Sequence, residues 1–247
     1  MPPDGYSWKM RGVSLREVNE AAARAARVAR GQSGTLRVGF TESTSWRGVV
    51  PGSFRRFREM QPDAELQLQP SPSLVQLEAI RSGRLDAGFV FNMPKADPEL
   101  DGLPVAMEQI ELAAPRGHPL TKLKQVRLRN LTSASFVWFP RREAPALYDR
   151  LMHECFRGGL KSPRIVQEGQ DEATILSLVA TGLGVGWVLR TARWHRPKSV
   201  DILSVVDLVM PQQLSLAWRK DNQSPLLASF VAEVRRFADV RGADIAR

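Results

Sequence analysis

Hydrophobic and polar positions alternate along the first half of the chain in a repeated order of strand and helix. Apolar alternation or apolar runs predict strands at Thr35–Phe40, Glu65–Gln69 and Leu85–Phe91. Apolar positions three and four apart predict helices at Val49–Met60 and Leu74–Ser82. Two strand–helix–strand units in succession predict a parallel sheet with right-handed crossovers.

A second set of the same kind begins near residue 116, after an extended segment at Val105–Ala114. Its pattern predicts strands, helices and two further strands, in the chain order Ser135–Phe139, Ala144–Phe156, Arg164–Glu168, Glu172–Thr181, Val185–Leu189, Ile202–Val206 and Leu214–Trp218. A closing amphipathic helix is predicted at Pro225–Ala238. We expect the last strand and this helix to return to the first set.

The predicted fold class is therefore α/β, with two Rossmann-like lobes and a ligand cleft between them. We predict an N-terminal segment at residues 1–33, a first lobe made of 34–114 and 215–247, and a second lobe at 115–214. Residues 14–30 have the composition of a helix, with a short heptad seam of small residues that would let two helices approach closely.

Composition narrows the possible locations and partners. The 247 residues carry a formal charge of +9, and Cys155 is the one cysteine, so no intramolecular disulfide forms. No stretch approaches the ~18 apolar residues of a membrane span, and the N-terminus has no apolar signal region. We expect a cytoplasmic protein without membrane contact. The excess of arginine leaves direct nucleic-acid binding open as an alternative, although the arginines are spread along the chain.

Sequence motifs for catalysis are weak. His153, Glu154 and Cys155 are consecutive, so on a helix they point to different sides and cannot share one metal. The glycine-rich segment 182–186 follows a helix and enters a strand, the reverse of a dinucleotide-binding loop, and predicts a helix end with close strand packing. We predict no enzyme, no cofactor and no metal.

Hydroxyl side chains follow two predicted strands. Residues 41–45 contain Thr41, Ser43 and Thr44, and Ser71-Pro72-Ser73 repeats the arrangement at the next strand–helix junction. Hydroxyls and free N–H groups at helix starts suit a carboxylate or a similar small anion. Ordinary N-capping is the alternative interpretation. Glu42 would repel an anion unless it points away or pairs with an arginine such as Arg47.

Five segments resemble the effector-binding domain of LysR-type transcriptional regulators over about residues 14–240. They are GTLRVGF, VVPGSFRRFREMQPDAELQL, LEAIRSGRLDAGFV, LAAPRGHPL and LVATGLGVGWVL. The resemblance implies a fold like that of type 2 periplasmic binding proteins. It also implies a preceding linker helix, of which residues 14–30 would form the last part. It also implies a dimer or tetramer of the chain and a small organic effector, such as a carboxylate or aromatic acid, in the cleft.

The resemblance also implies which residues contact the effector: Thr41, Ser43, Thr44, Ser73, Phe139, Pro140, Arg141, Glu168 and Gln170. In the family, DNA is contacted through an N-terminal winged helix-turn-helix, which this sequence lacks before residue 14. The leading interpretation is thus a regulatory domain that senses a metabolite and changes the geometry of an oligomer. The alternative is a solute-binding protein of a transport system.

Overall fold

The computed structural model describes residues 34–46, 48–94 and 96–245, with side chains described up to residue 238. The predicted helix at 14–30 lies outside the described residues. The strands are β1 Gly34–Phe40, β2 Ala64–Pro70, β3 Ala87–Phe91, β4 Leu100–Pro115, β5 Ser135–Trp138, β6 Arg164–Glu168, β7 Val185–Leu189, β8 Val200–Leu203 and β9 Pro211–Arg219. The helices are α1 Val49–Met60, α2 Ser73–Arg81, α3 Pro145–Arg157, α4 Glu172–Ala180 and α5 Pro225–Ile245.

The strands form one mixed sheet with two halves that share β4. In the first half, β1 pairs in parallel with β2 and β3, and β9 runs antiparallel between β3 and β4. In the second half, β5 pairs in parallel with β6 and β7, while β7 and β8 run antiparallel to β4. The β4 register passes from β9 at Gln109 to β7 at Ile110. This is the predicted α/β architecture; the three domain boundaries stay a prediction.

The core of the first half is an aromatic cluster between the sheet and two helices. Phe230 of α5 lies edge-on to Phe57 of α1, with ring centroids 5.2 Å apart, and edge-on to Phe89 of β3 at 6.2 Å. All three side chains are fully buried. The predicted return of the closing helix is thus observed, because α5 packs on the strands that open the fold.

The core of the second half is built on the β5 and β7 apolar runs. The rings of Trp138 and Trp187 lie 6.1 Å apart, and Phe136 packs on both. Helix α3 adds Leu151 and Cys155, which are four residues apart and therefore share one helix face. Cys155 is fully buried, and burial raises the pKa of its thiol to about 12, so this cysteine acts as a small apolar core residue.

The glycine-rich segment 182–186 ends α4 and begins β7, as predicted. Gly182 ends the helix with φ +86°, which favours glycine. A Cβ on Gly184 would lie 2.3 Å from the backbone oxygen of Ser135. The glycines therefore permit close approach of backbones inside the sheet, and the order of elements differs from that of a dinucleotide-binding loop.

Candidate functional site

A cavity of about 890 Å³ opens between the two halves of the sheet. Its wall includes residues that follow β1, β2, β3 and β5. It also includes the first turns of α2, α3 and α4. Ligands of open α/β sheets bind beyond the carboxyl ends of strands, and this cavity has that position.

Five of the nine predicted contact residues line the cavity, namely Thr41, Ser43, Ser73, Phe139 and Gln170. Most of the remaining wall is apolar and comes from both halves of the sheet. It includes Leu74, Leu77, Phe91, Ile110, Pro145, Leu147, Ile175, Trp187 and Val188.

The other four predicted contact residues lie outside this cavity. Thr44 is buried under its own turn, where Oγ1 donates to the Thr41 oxygen at 2.8 Å, and it lines a neighbouring cavity instead. Pro140 is buried and its oxygen accepts from the Glu143 N–H. Arg141 is turned toward solvent and makes two 2.7 Å bonds to Asp149. The Glu168 carboxylate is exposed, with Oε2 4.0 Å from Nη1 of Arg142.

The hydroxyls at the two strand–helix junctions are not helix caps, so the N-capping interpretation is wrong for both. Thr41 precedes the short 3-10 turn Glu42–Thr44 and makes no side-chain cap bond. Pro72 precedes α2 and has no capping side chain, while Ser73 is already helical. The Ser73 Oγ accepts from the Phe91 N–H at 3.0 Å, which fixes α2 against the end of β3. Its hydroxyl hydrogen is left to donate to a ligand.

The cavity wall is acidic as well as apolar. Four acidic residues are among its described lining residues: Glu42, Glu143, Asp171 and Glu172. No described residue of the lining is a lysine or an arginine. Asp171 caps α4, accepting from the Thr174 N–H at 2.7 Å. Glu42 Oε1 accepts from the indole N–H of Trp46 at 2.6 Å.

Glu172 is the most deeply buried of these acids, with 8% of the residue exposed. Its Oε2 accepts from the Leu189 N–H at 2.7 Å, and its Oε1 lies 3.2 Å from Nε2 of His195. Burial raises the pKa of the Glu172 carboxyl, and the Glu42 carboxylate raises it further, whereas His195 and the Leu189 N–H oppose the shift. The Glu42 carboxylate therefore acts on Glu172 from the other side of the cleft.

The two sides of the cleft also touch through stacked rings. Trp46, which follows β1, stacks on His195 with centroids 4.8 Å apart and ring planes within 8° of parallel. His195 follows the 3-10 turn Arg190–Trp194, which continues β7. Sequence reasoning missed Trp46, His195 and Glu172. The position of Glu172 at a helix start beside Gln170 was the available signal.

A second, smaller cavity of about 420 Å³ adjoins the first at Ser43 and Leu189. Glu108 of β4 lies in its wall. Burial is the main cause that raises the pKa of Glu108 to about 7; Glu172 and Glu111 add to it, and Arg190 opposes it. The folded chain thus holds this proton more tightly than the unfolded chain, in which the reference pKa is 4.5.

Glu108→Gln is expected to stabilise the chain at pH 8 and to leave its stability nearly unchanged at pH 4.5. Since the folded pKa is raised, the stability associated with the Glu108 proton is lost as the pH rises through about 7. After allowance for partial exposure, the gain at pH 8 is about 1–2 kcal/mol. Urea unfolding at both pH values measures it. Glu59→Gln, at an exposed position on α1, is the control; an equal gain at both pH values would count against this assignment.

The family model of the LysR substrate binding domain matches residues 29–239. The chain belongs to this family. The LysR substrate-binding domain described here is 33% identical over 224 residues to the HTH-type transcriptional regulator IlvR of Caulobacter vibrioides, covering 87% of this chain and 71% of the relative. It superposes on CbnR, a LysR family transcriptional regulator, with TM-score 0.72 and 25% identity, covering 89% of this chain and 75% of CbnR.

The BenM effector binding domain with its effector benzoate shares the fold, with TM-score 0.70 and 23% identity over 84% of this chain and 93% of that one. The relatives are transcriptional regulators, and the transport-protein alternative finds no support. In the part of the chain that the structure describes, no helix has the length and apolarity to cross a membrane. Over the same residues, no group of three or more His, Cys, Asp and Glu could hold a metal ion.

Proposed function

We propose that this LysR substrate-binding domain senses a small organic metabolite in the 890 Å³ cavity between the two halves of its sheet. The observation that carries the proposal is the wall itself, because residues from both halves line one apolar cavity with a few convergent polar groups. In this proposal DNA is contacted through the winged-helix domain of a LysR-type regulator and not through the effector-binding domain itself. A LysR-type regulator acts on DNA, so we place its action in the cytoplasm.

Ligand binding acts by favouring one arrangement of the two halves. A ligand that contacts Ser73 on α2 and Gln170 before α4 binds best when the two sides are closed, so it shifts the population toward that state. The first turn of α2 has no capping side chain, and it therefore suits a carboxylate of the ligand. A change in the relative position of the halves changes the geometry of an oligomer and thus of attached DNA-binding domains.

Ser73→Ala is expected to weaken ligand binding while Ser82→Ala leaves it unchanged. The two serines stand at opposite ends of α2, and Ser82 is exposed, with Oγ donating to the Ala79 oxygen at 3.1 Å. Loss of one ligand hydrogen bond costs about 1 kcal/mol or more, or roughly fivefold in affinity. A thermal-shift screen of a metabolite library, followed by calorimetric titration of each variant with the best compound, measures this. Equal affinities for the two variants would contradict the site.

Self-association is part of the same proposal. β2 and β6 are the two ends of the strand order, and edge strands are natural pairing surfaces. Exposed apolar side chains lie on each of them and on the adjacent helices: Leu68 on β2, Leu74 and Val75 on α2, Phe156 on α3 and Val166 on β6. Such patches favour contact with another copy of the chain.

Val75→Glu and Phe156→Glu are each expected to shift the chain toward the monomer, because each buries a charge in the proposed contact. Val209→Glu, at an exposed valine outside both faces, is the control. Sedimentation velocity across a concentration series measures the mass. An unchanged mass for both variants would reject these faces as the contact.

A further inference from the structure

The large cavity combines two kinds of wall that favour opposite charges. The α2 side presents Ser71, Ser73 and an uncapped helix start, which favour a negative group. The turn after β1 and the start of α4 present Glu42 and Glu172, and the described lining residues supply no lysine or arginine to neutralise them. A ligand with only negative groups would meet uncompensated repulsion from these two carboxylates.

Glu42 and Glu172 each have an oxygen without a hydrogen-bond partner among the described residues. Glu42 Oε2 and Glu172 Oε1 are both shielded from solvent, although both residues line the cavity. Glu172 is more than nine-tenths buried, and a buried carboxylate oxygen of this kind is costly unless a donor reaches it. His195 is near Glu172 Oε1, at 3.2 Å, but neither of its ring nitrogens makes a described hydrogen bond.

We infer that the effector of this domain carries an ammonium group, which binds between Glu42 of the first half and Glu172 of the second, and an apolar body that fills the rest of the cavity. The inference rests on the proposed function of the cavity and names the ligand class. An ammonium group has three donors and no acceptor, so it can satisfy both free carboxylate oxygens at once. Because these two carboxylates approach from opposite sides of the cleft, the same group would hold the cleft closed.

The apolar wall defines the rest of the ligand. Phe91, Phe139 and Ile175 lie in the same cavity as the two glutamates, and they favour an aliphatic or aromatic side chain. A carboxylate placed at α2 completes the match. An apolar α-amino acid, with both charged groups and an apolar side chain, is the simplest compound of this class.

Two matched sets of compounds distinguish the contribution of the ligand's ammonium group to binding from that of its carboxylate. One set shares a phenylethyl body: L-phenylalanine, 2-phenylethylamine and 3-phenylpropionate. The other shares a branched aliphatic body: L-leucine, 3-methylbutylamine and 4-methylpentanoate. Calorimetric titration of the chain with each compound is expected to give binding at least about tenfold tighter for the ammonium compounds than for the carboxylate-only compound of the same set.

Neutral variants identify the residues responsible. Glu42→Gln and Glu172→Gln keep an oxygen for Trp46 and for the Leu189 N–H, so both are expected to fold. Each should weaken the ammonium compounds about 10- to 100-fold, the range for a hydrogen bond to a charged group. Glu168→Gln is the matched control, because Glu168 is a nearby exposed carboxylate that does not line the cavity.

The inference is overturned if the carboxylate-only compounds bind as tightly as the ammonium compounds, or if Glu42→Gln and Glu172→Gln leave the preference intact. It is also overturned if no ammonium compound binds at millimolar concentration. In the first two cases the cavity still binds small molecules, so the proposed function stands. The proposed function itself fails only if, in addition, no member of the wider metabolite library binds.

Discussion

Replacement of Arg190 and Arg193 together by methionine is expected to lower the free energy of unfolding by about 3–5 kcal/mol at pH 7. Glu111 of β4 is the reason, since only 3% of it is exposed. Its carboxylate accepts from Arg193 Nε at 2.6 Å, Arg190 Nε at 3.2 Å and Ser204 Oγ at 3.0 Å. Without the arginines, a buried charge keeps a single neutral partner.

Addition of Glu111→Gln to the double variant is the control, because it removes the buried charge and should restore most of the lost stability. Urea unfolding of the three proteins measures the difference. A loss below about 1 kcal/mol in the double variant would mean that the two exposed arginine side chains contribute only as surface pairs do. The cluster matters for the site because it fixes the turn 190–194 that precedes His195.

Phe230→Ala is expected to cost about 3–5 kcal/mol of unfolding free energy. The ring is fully buried and lies 5.2–6.3 Å, centroid to centroid, from Phe54, Phe57 and Phe89. A cavity at this point separates α5 from α1 and from the sheet, where the neighbouring rings cannot collapse without losing their own contacts. Thermal and urea unfolding measure the loss.

Phe156→Ala is the matched control for this core substitution. Phe156 is 59% exposed on α3, so its truncation should cost less than about 1 kcal/mol when unfolding is measured at a protein concentration at which sedimentation shows a monomer. Similar losses for the two variants would indicate that the aromatic cluster of the first half is not the main packing unit between the sheet and its helices.

The order of elements could be predicted because each has a clear hydrophobic period, but the sequence did not determine where strands end. The pattern predicts an extended segment at Val105–Ala114, whereas β4 runs from Leu100 to Pro115. Pairing with β9 extends it, with a register shift next to Pro104. Likewise Val205 was predicted in a strand with Ile202, but β8 ends at Leu203 and Val205 makes a separate bridge to Val126.

The candidate site, too, could be predicted from the sequence only in part. The hydroxyl loops after β1 and β2 were identifiable because polar residues interrupt strong strand and helix patterns. The acidic wall was not, since it depends on which side chains face each other across two halves of the fold. Trp46 and His195 stack although about 150 residues separate them in sequence, and no local pattern indicates that contact. The resemblance predicts Arg141 as a cleft residue, but Arg141 pairs with Asp149, one turn into α3.

Hydrogen exchange with and without a bound ligand tests the central claim, that one small molecule contacts both halves of the sheet. The measurement uses the tightest-binding compound of the library at saturation. The account predicts slower amide exchange at residues 71–77, which include the start of α2, and at residues 170–176, which include the start of α4. It predicts little change at residues 225–238 in α5. Slowing confined to one of the first two segments, or found only elsewhere, would contradict binding in the cleft.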